Sequence, residues 1–133
     1  MKILIVYYSM YGHVLQLARA VEEGAKPVAG TLWLKGELEG KPAGVFTSTA
    51  STHGGQETTL LTMMVPLIHL GMVIVGVPYS TEGMLHTEAR GGTPYGASTI
   101  AGPRGELQPT KEDLAIGRAL GQRVATITKK LRG

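Results

Sequence analysis

The residues best suited to hold a charged ligand follow the first apolar run of the chain. Residues 3–8 are all aliphatic or aromatic, which is typical of a strand buried on both faces. The turn Ser-Met-Tyr-Gly-His at residues 9–13 comes next, and an amphipathic helical pattern begins at Val14. Unpaired backbone N–H groups at a helix start, the Ser9 hydroxyl and the positive end of the helix dipole favour a phosphate there. Because the turn lacks the dinucleotide glycine triplet and the Lys-bearing phosphate loop, an ordinary polar turn remains an equal interpretation.

A second strand and polar loop repeat this arrangement. The apolar run at residues 43–48 ends in the loop Thr-Ala-Ser-Thr-His-Gly-Gly-Gln at residues 49–56. Residues 57–69 then predict a helix that ends before Gly71 and is kinked by Pro66. Its predicted apolar side consists of Leu60, Leu61, Met64 and Leu67. Two such loops are expected at the same edge of a sheet, where they could share a ligand.

The rest of the chain predicts one more buried strand, a long irregular segment and a final helix. The strand is residues 72–77, and the segment 78–109 has no sustained period, which indicates a functional or mobile loop. Thr110 and Asp113 form a capping box before the helix. The expected buried stripe of that helix is Leu114, Leu120, Val124, Ile127 and Leu131, with Gly117 leaving one place empty. Alternating strands and helices imply an α/β fold, a doubly wound parallel sheet of three strands, in a single domain over residues 1–133.

Composition and charge exclude several classes of function. With no cysteine, the chain has no disulfide, thiolate zinc site, cysteine-ligated cluster or Cys nucleophile, and a cytoplasmic location is expected. No apolar stretch is long enough to cross a bilayer. The net charge of +3 is scattered, so nucleic-acid binding is not indicated. The four histidines have no i, i+4 pair for a metal, and the only aspartate is used in a helix cap.

Five motifs, taken together and in order, resemble the WrbA family of flavodoxin-like NAD(P)H:quinone oxidoreductases. They are Tyr-Tyr-Ser-Met-Tyr-Gly-His at 7–13, Gly-Thr-Leu-Trp at 30–33, Ser-Thr-Ala-Ser-Thr-His-Gly-Gly-Gln-Glu at 48–57, His-Leu-Gly-Met at 69–72 and Arg-Gly-Gly-Thr-Pro-Tyr-Gly-Ala at 90–97. The motif Gly-Gly-Gln at 54–56 would be uninformative alone. The resemblance covers nearly every residue and implies a flavodoxin-like fold.

The resemblance also implies a set of site residues and a reaction. It implies that the FMN phosphate is bound by Ser9, Met10, Tyr11, Gly12, His13 and Val14. It implies that the flavin ring is lined by Ser48, Thr49, Ala50, Ser51, Thr52, His53 and Gly54, with His69 as the flavin-site histidine. Tyr11 would also meet the nicotinamide nucleotide, and Trp33 would wall the quinone pocket. The implied reaction is two-electron quinone reduction by NAD(P)H through FMN in a ping-pong cycle, in a homotetramer with the segment 78–102 at a subunit contact.

The chain departs from this family between Val28 and Gly30. Two strands with their helices, including the central strand and a Pro-Thr-Arg-Phe-Gly flavin loop, have no counterpart there. Buried strands without their neighbour would cost about 1–3 kcal/mol per unpaired group, against a total stability of about 5–15 kcal/mol. A non-catalytic flavodoxin-like remnant or partner-binding module is therefore the alternative to the oxidoreductase. From the residues alone, His13 and His69 are better explained as local helix-end groups, His53 as an exposed loop residue, and Trp33 as a core anchor.

Overall fold

The computed structural model describes residues 34–132 of the chain. In these residues the elements are, in chain order, β1 (Pro42–Ala43), β2 (Phe46–Thr49), α1 (Gln56–His69), β3 (Val73–Ile74), β4 (Ala97–Ile100) and α2 (Lys111–Leu131). The predicted α/β class with parallel strands is confirmed, because β1 pairs with β3 and β2 pairs with β4, both in parallel. The first predicted strand and helix lie outside the described residues.

The strands β1 and β2 belong to one extended segment, residues 42–49, which we call the shared strand. Its first half pairs with β3 in the register Ala43↔Ile74, and its second half pairs with β4 in the register Phe46↔Ala97. The carbonyls of Ala43 and Thr49 accept from the N–H groups of Val75 and Ala101 at 2.8 and 2.7 Å. Because alternate carbonyls of a strand point to the same side, β3 and β4 follow one another along a single edge of the shared strand.

The two helices cover opposite faces of the shared strand. Ala43 and Val45 form a buried cluster with Leu60 and Leu67 of α1. On the other face, an added Cβ at Gly44 would meet Leu120 of α2 at 3.0 Å. The second buried cluster lies on that side and consists of Val77, Met84, Ala97, Ile116 and Leu120. Since successive residues of a strand face opposite sides, the alternation of residues 43–46 dictates this layering of helix, sheet and helix.

Strand β4 was not predicted from the sequence, which indicated three strands and a structureless segment 78–109. Small residues explain the error, because Ala-Ser-Thr-Ile has no apolar alternation to detect. Glycines let this segment approach its neighbours through backbone atoms. A Cβ at Gly96 would lie 2.2 Å from the carbonyl oxygen of Val45, and one at Gly91 would lie 1.8 Å from that of Ser98. These approaches are available only to glycine.

The predicted extent of helix α1 is confirmed, but the prediction that Leu61 belongs to its buried side is wrong. Leu60 and Leu67 are buried, but Leu61 is 46% exposed, and Met63 packs against the cluster instead. Residues three, four and seven apart share a helix face, so a face that contains Leu60 and Leu67 turns Leu61 outward. The helix continues through Pro66 and ends at His69, and Gly71 follows it with a φ of +72°, which favours glycine. The strand after it is also less buried than predicted, since Val73 is 42% exposed.

Helix α2 begins as predicted, with a buried face that differs from the predicted stripe. Thr110 Oγ1 accepts from Asp113 N, and Asp113 Oδ2 accepts from Thr110 N, both at 3.0 Å. Asp113 Oδ2 also accepts from Thr99 Oγ1 at 2.9 Å, which ties the helix start to β4. This anchor turns Ile116 into the core at 0% exposure and leaves Leu114 50% exposed, contrary to the prediction. Leu131 is exposed as well.

The close backbone contact at Gly96 predicts that adding a side chain there lowers the stability of the protein. Gly96→Ala places a methyl group against the Val45 carbonyl, so the free energy of unfolding should fall by about 3 kcal/mol through overpacking. Gly121→Ala is the matched control, because nothing lies within 4 Å of its added Cβ and it sits in α2, where alanine should add about 0.5–1 kcal/mol. Urea unfolding of both variants measures the difference. Equal midpoints for Gly96→Ala and the parent chain would contradict the close approach.

Candidate functional site

The loop at the carboxyl end of β2 is folded tightly on its own backbone. Thr49 Oγ1 donates to the carbonyl of Ser51 at 2.9 Å, and Gly54 N donates to the same carbonyl at 3.0 Å. A Cβ at Gly54 would lie 2.8 Å from Thr49 Cβ, so the turn closes only around glycine. Ser51, Thr52 and His53 are exposed as a result. The loop therefore presents short polar side chains at the edge of the sheet where α/β proteins bind ligands.

Helix α1 begins directly after this loop, without a side-chain cap from the described residues. Gly55 is the N-cap residue at φ +81°, and no side chain of the described residues caps it. The first backbone bond of the helix is Thr59 N to Gly55 O at 2.9 Å. The N–H groups of the first turn thus point away from the helix with the positive end of its dipole behind them.

Gln56, the first helical residue, joins this helix start to the glycine-rich segment after β3. It is only 7% exposed. The backbone N–H of Gly92 donates to Ser98 Oγ at 2.9 Å, and Ser98 Oγ donates to Gln56 Oε1. Three groups from three parts of the chain therefore form one buried hydrogen-bond relay. The relay fixes the distance between the loop after β2 and the residues around Gly92.

His86, Glu88 and Arg90 line one cavity together with the start of α1. The ring nitrogens of His86 lie 3.2 Å from the carbonyl oxygen of Glu88 and 3.5 Å from that of Gly92. Arg90 Nη2 donates to the carbonyl of Gly83 at 2.6 Å, and its Nε lies 3.8 Å from a carboxylate oxygen of Glu88. Arg90 Nη1 is buried and has no partner among the described residues.

This cavity has a volume of about 480 Å³, and we call it the polar chamber. Its lining includes Thr52, His53, Gln56, His86, Glu88 and Arg90. Thr52 and His53 belong to the loop that the sequence identified, so the chamber and that loop share a border. A smaller apolar groove of about 180 Å³ lies elsewhere, between Phe46 and the exposed Leu114 of α2.

The carboxylate of Glu88 is the titratable group with the clearest perturbation. A hydrogen bond from its own backbone N–H lowers the pKa of Glu88, desolvation by neighbouring atoms raises it by a smaller amount, and the guanidinium of Arg90 lowers it further. Glu88 therefore remains ionised at pH values low enough to protonate an ordinary glutamate.

The structure locates some of the predicted site residues and separates others. The loop from Ser48 to Gly54 is described, whereas Ser9 to Val14 and Trp33 lie outside the described residues. His69 is the last residue of α1, and the loop precedes its first residue. A helix of this length spans about 20 Å, so His69 does not meet the loop of its own chain.

Sequence reasoning missed the residues that build the polar chamber. Gln56, Ser98 and Arg90 each fell inside a quoted motif or just beside one, but none was given a role. The Gly-Gly-Gln motif is uninformative in the sequence, because burial of its glutamine depends on Ser98, which is distant in the chain. Among residues 34–132 no group of three or more metal-ligating side chains comes together, and no helix is long and apolar enough to cross a membrane.

Curated proteins named NAD(P)H dehydrogenase (quinone) align with almost the whole chain. The protein of Geobacter sulfurreducens is 38% identical over 203 aligned residues, which span 100% of both chains. That of Geotalea uraniireducens is 37% identical over 201, covering 98% of this chain and 99% of the relative. That of Chromohalobacter salexigens is 37% identical over 199, covering 99% of each. The chain belongs to the NAD(P)H dehydrogenase (quinone) family. The recognised resemblance is thereby confirmed, although no protein-family model matches the chain.

The alignments also bear on the predicted internal gap. The alignment with the Geobacter sulfurreducens protein has 203 positions, whereas this chain has 133 residues. At least 70 positions of the alignment therefore have no counterpart in this chain. Both chains are covered end to end, which makes the missing stretch internal. Its predicted place, between Val28 and Gly30, lies outside the described residues and stays a prediction.

The ionisation of Glu88 can be tested directly. Carbon-detected NMR titration should give Glu88 a lower pKa in the folded chain than in urea, and Arg90→Ala should raise the folded value only part of the way, because the backbone hydrogen bond is the larger cause. With a depressed pKa, the stabilisation from Glu88 is complete above the unfolded pKa and is lost as pH falls through the folded one. A folded pKa at or above the unfolded value would contradict this arrangement.

Proposed function

We propose that this chain is an FMN-dependent enzyme that reduces quinones by two electrons with NAD(P)H, in a ping-pong cycle. The observation that carries the proposal is membership of the NAD(P)H dehydrogenase (quinone) family along the whole chain. The layered arrangement of α1, the parallel strands and α2 supports a flavodoxin-like, doubly wound sheet. A single cytoplasmic domain that assembles as a homotetramer completes the proposal, as the resemblance implies.

The described loop fits one part of FMN, its ring. Residues 48–54 lie at the carboxyl end of a parallel strand, and Gly54 lets this loop close tightly against Thr49. Ser51, Thr52 and His53 are exposed and carry hydroxyl and imidazole groups that would hydrogen-bond to heteroatoms of a bound flavin ring. The proposed phosphate seat is Ser9 to Val14, with Tyr11 toward the nicotinamide and Trp33 beside the quinone. When bound, FMN would supply the two-electron chemistry, and the chain would supply position and exclusion of water.

The separation of His69 from the loop has a simple resolution in an oligomer. If His69 lines the flavin, as the resemblance implies, it must come from a neighbouring chain, since α1 places it about 20 Å from its own loop. In that position its imidazole could donate to a reduced ring or to a quinone oxygen. Under this proposal, a complete active site requires two chains of the oligomer.

A non-catalytic remnant is the second candidate, and the missing positions favour it. At least 70 positions of the family have no counterpart, and by the resemblance they include a flavin loop and the central strand. Such a chain would keep the fold of the described residues without binding FMN.

FMN titration of the purified chain separates these candidates. A chain with the intact mass of 14.1 kDa should quench FMN fluorescence and oxidise NAD(P)H only when a benzoquinone is added. Gly54→Val should weaken FMN binding at least tenfold, because its Cβ meets Thr49, while Gly121→Ala should not. A chain of this mass with no FMN binding and no quinone reduction would establish the remnant instead.

Subunit mixing tests the placement of His69. His69→Ala and Gly54→Val chains should each be weakly active alone, and mixed oligomers should recover activity, because some sites combine an intact loop from one chain with His69 from another. The control is a mixture in which one chain carries both changes and the other is intact, which should show no recovery beyond its intact chains. Absence of recovery in the first mixture, with mixed oligomers demonstrated by mass, would place both residues in one site of one chain.

A further inference from the structure

Four cations of helix α2 project from one exposed side of the helix, which we call the cationic face. They are Lys111, Arg118, Lys129 and Arg132, and all four are exposed. An α-helix turns by about 100° per residue, so Lys111, Arg118 and Lys129 project within about 20° of one another, and Arg132 within about 60° of them. Lys111 and Lys129 are about five turns apart, or about 27 Å. The four charges therefore form a row along the whole helix.

The cationic face lies opposite the buried side of α2. Ile116 and Leu120 are 0% and 5% exposed, and each projects about 160° away from Arg118. Their burial turns the row of cations away from the sheet.

Carboxylates do not neutralise the cationic face in the part of the chain that the structure describes. The sequence has no Asp or Glu from residue 114 to residue 132. Asp113 is buried in the capping box, and Glu112 projects about 100° away from Lys111. The four cations make no ion pair with any of residues 34–132. Their charges therefore add up along one side of the helix.

The helix dipole explains only part of this row. Cations in the last turn, such as Lys129, are stabilised by the negative end of the dipole. Lys111 is the first residue of the helix, where the dipole disfavours a positive charge, and Arg118 is too far from either end to gain from it. Since local helix electrostatics leaves these two cations unexplained, we looked for a partner that needs the complete row.

Apolar side chains accompany the cations at one end of the cationic face. Leu114 is 50% exposed and projects about 40° from Arg118. Phe46 is 46% exposed and lines the apolar groove together with Leu114. Cations beside exposed apolar side chains match the surface of an anionic bilayer, where phosphates lie above an acyl layer. A nucleic-acid backbone offers phosphates without that layer, so the apolar neighbours favour lipid.

We propose that the cationic face docks this protein on a membrane surface rich in anionic phospholipids. The inference goes beyond quinone reduction and does not depend on it. Each Lys or Arg close to an anionic surface strengthens binding by about fivefold, so the row acts as a unit, whereas a single cation binds weakly. Because the contacts are electrostatic and exposed, docking is reversible and weakens as salt screens the charges.

Charge reversal on and off the cationic face tests the proposal. The full chain should co-sediment with vesicles of phosphatidylglycerol and phosphatidylcholine at least tenfold more strongly than with vesicles of phosphatidylcholine alone, and salt should release it. Arg118→Glu and Lys129→Glu should each weaken binding to the anionic vesicles at least tenfold. Arg123→Glu and Lys130→Glu make the same charge change at exposed positions of α2 about 100–140° away, and should each change binding less than threefold. Circular dichroism establishes that each variant is folded.

Two outcomes of these measurements would overturn the proposal. The first is a parent chain that binds both kinds of vesicle equally or binds neither. The second is an equal loss in the folded on-face and off-face variants, which would assign vesicle binding to net charge alone.

A further variant and a second probe separate lipid from nucleic acid. Leu114→Ser should weaken binding to anionic vesicles, because it removes the apolar contact and leaves every charge in place. A DNA duplex at the same salt concentration should bind more weakly than the vesicles. Tighter binding of the duplex, with losses in Arg118→Glu and Lys129→Glu and none in Leu114→Ser, would overturn the proposal by assigning the cationic face to nucleic acid.

Discussion

The shared strand is the constraint on which the described structure depends. Ala43 and Val45 bury against α1, Gly44 faces α2, and the one described edge of the strand carries β3 and then β4. Both hydrophobic clusters therefore meet at a backbone only eight residues long. Leu60 and Ile116, each 0% exposed, pack from opposite sides, and burial of such side chains contributes about 1.5–3 kcal/mol each. A shift of one residue in this strand would exchange its two faces and disrupt both clusters.

The candidate site follows from the end of that strand. Because parallel strands share a direction, the loop after β2 and the polar segment after β4 emerge at the same edge, with the start of α1 beside them. The glycine-rich residues before β4 fold back to the same place, and the relay from Gly92 through Ser98 to Gln56 joins them to the helix. The polar chamber is thus a product of strand register and glycine packing.

Sequence patterns predicted the parts of this structure that depend on local interactions. The capping box of Thr110 and Asp113, the end of α1 before Gly71 and the parallel class are all encoded by neighbouring residues or by runs of apolar ones. The errors have a common origin in contacts between residues far apart in the chain. The pairing of Ala97 with Phe46 makes a strand of small residues, and the bond from Thr99 to Asp113 sets the rotation of α2 and so exposes Leu114. Likewise, the loop from Ser48 to Gly54 was located from its composition, while Gln56 became visible only through Ser98.

The succession of β3 and β4 along one edge has a consequence for synthesis of the chain. After Ile74 pairs with Ala43, this edge of the later half of the shared strand remains unpaired until Ala97 reaches it. The intervening segment must first close as a long loop. While translation proceeds through that segment, residues 46–49 present an unpaired strand edge on the ribosome. Exposed edges of this kind pair readily with other chains. This edge of the nascent chain therefore stays open to such pairing until residues 97–100 are available to cover it.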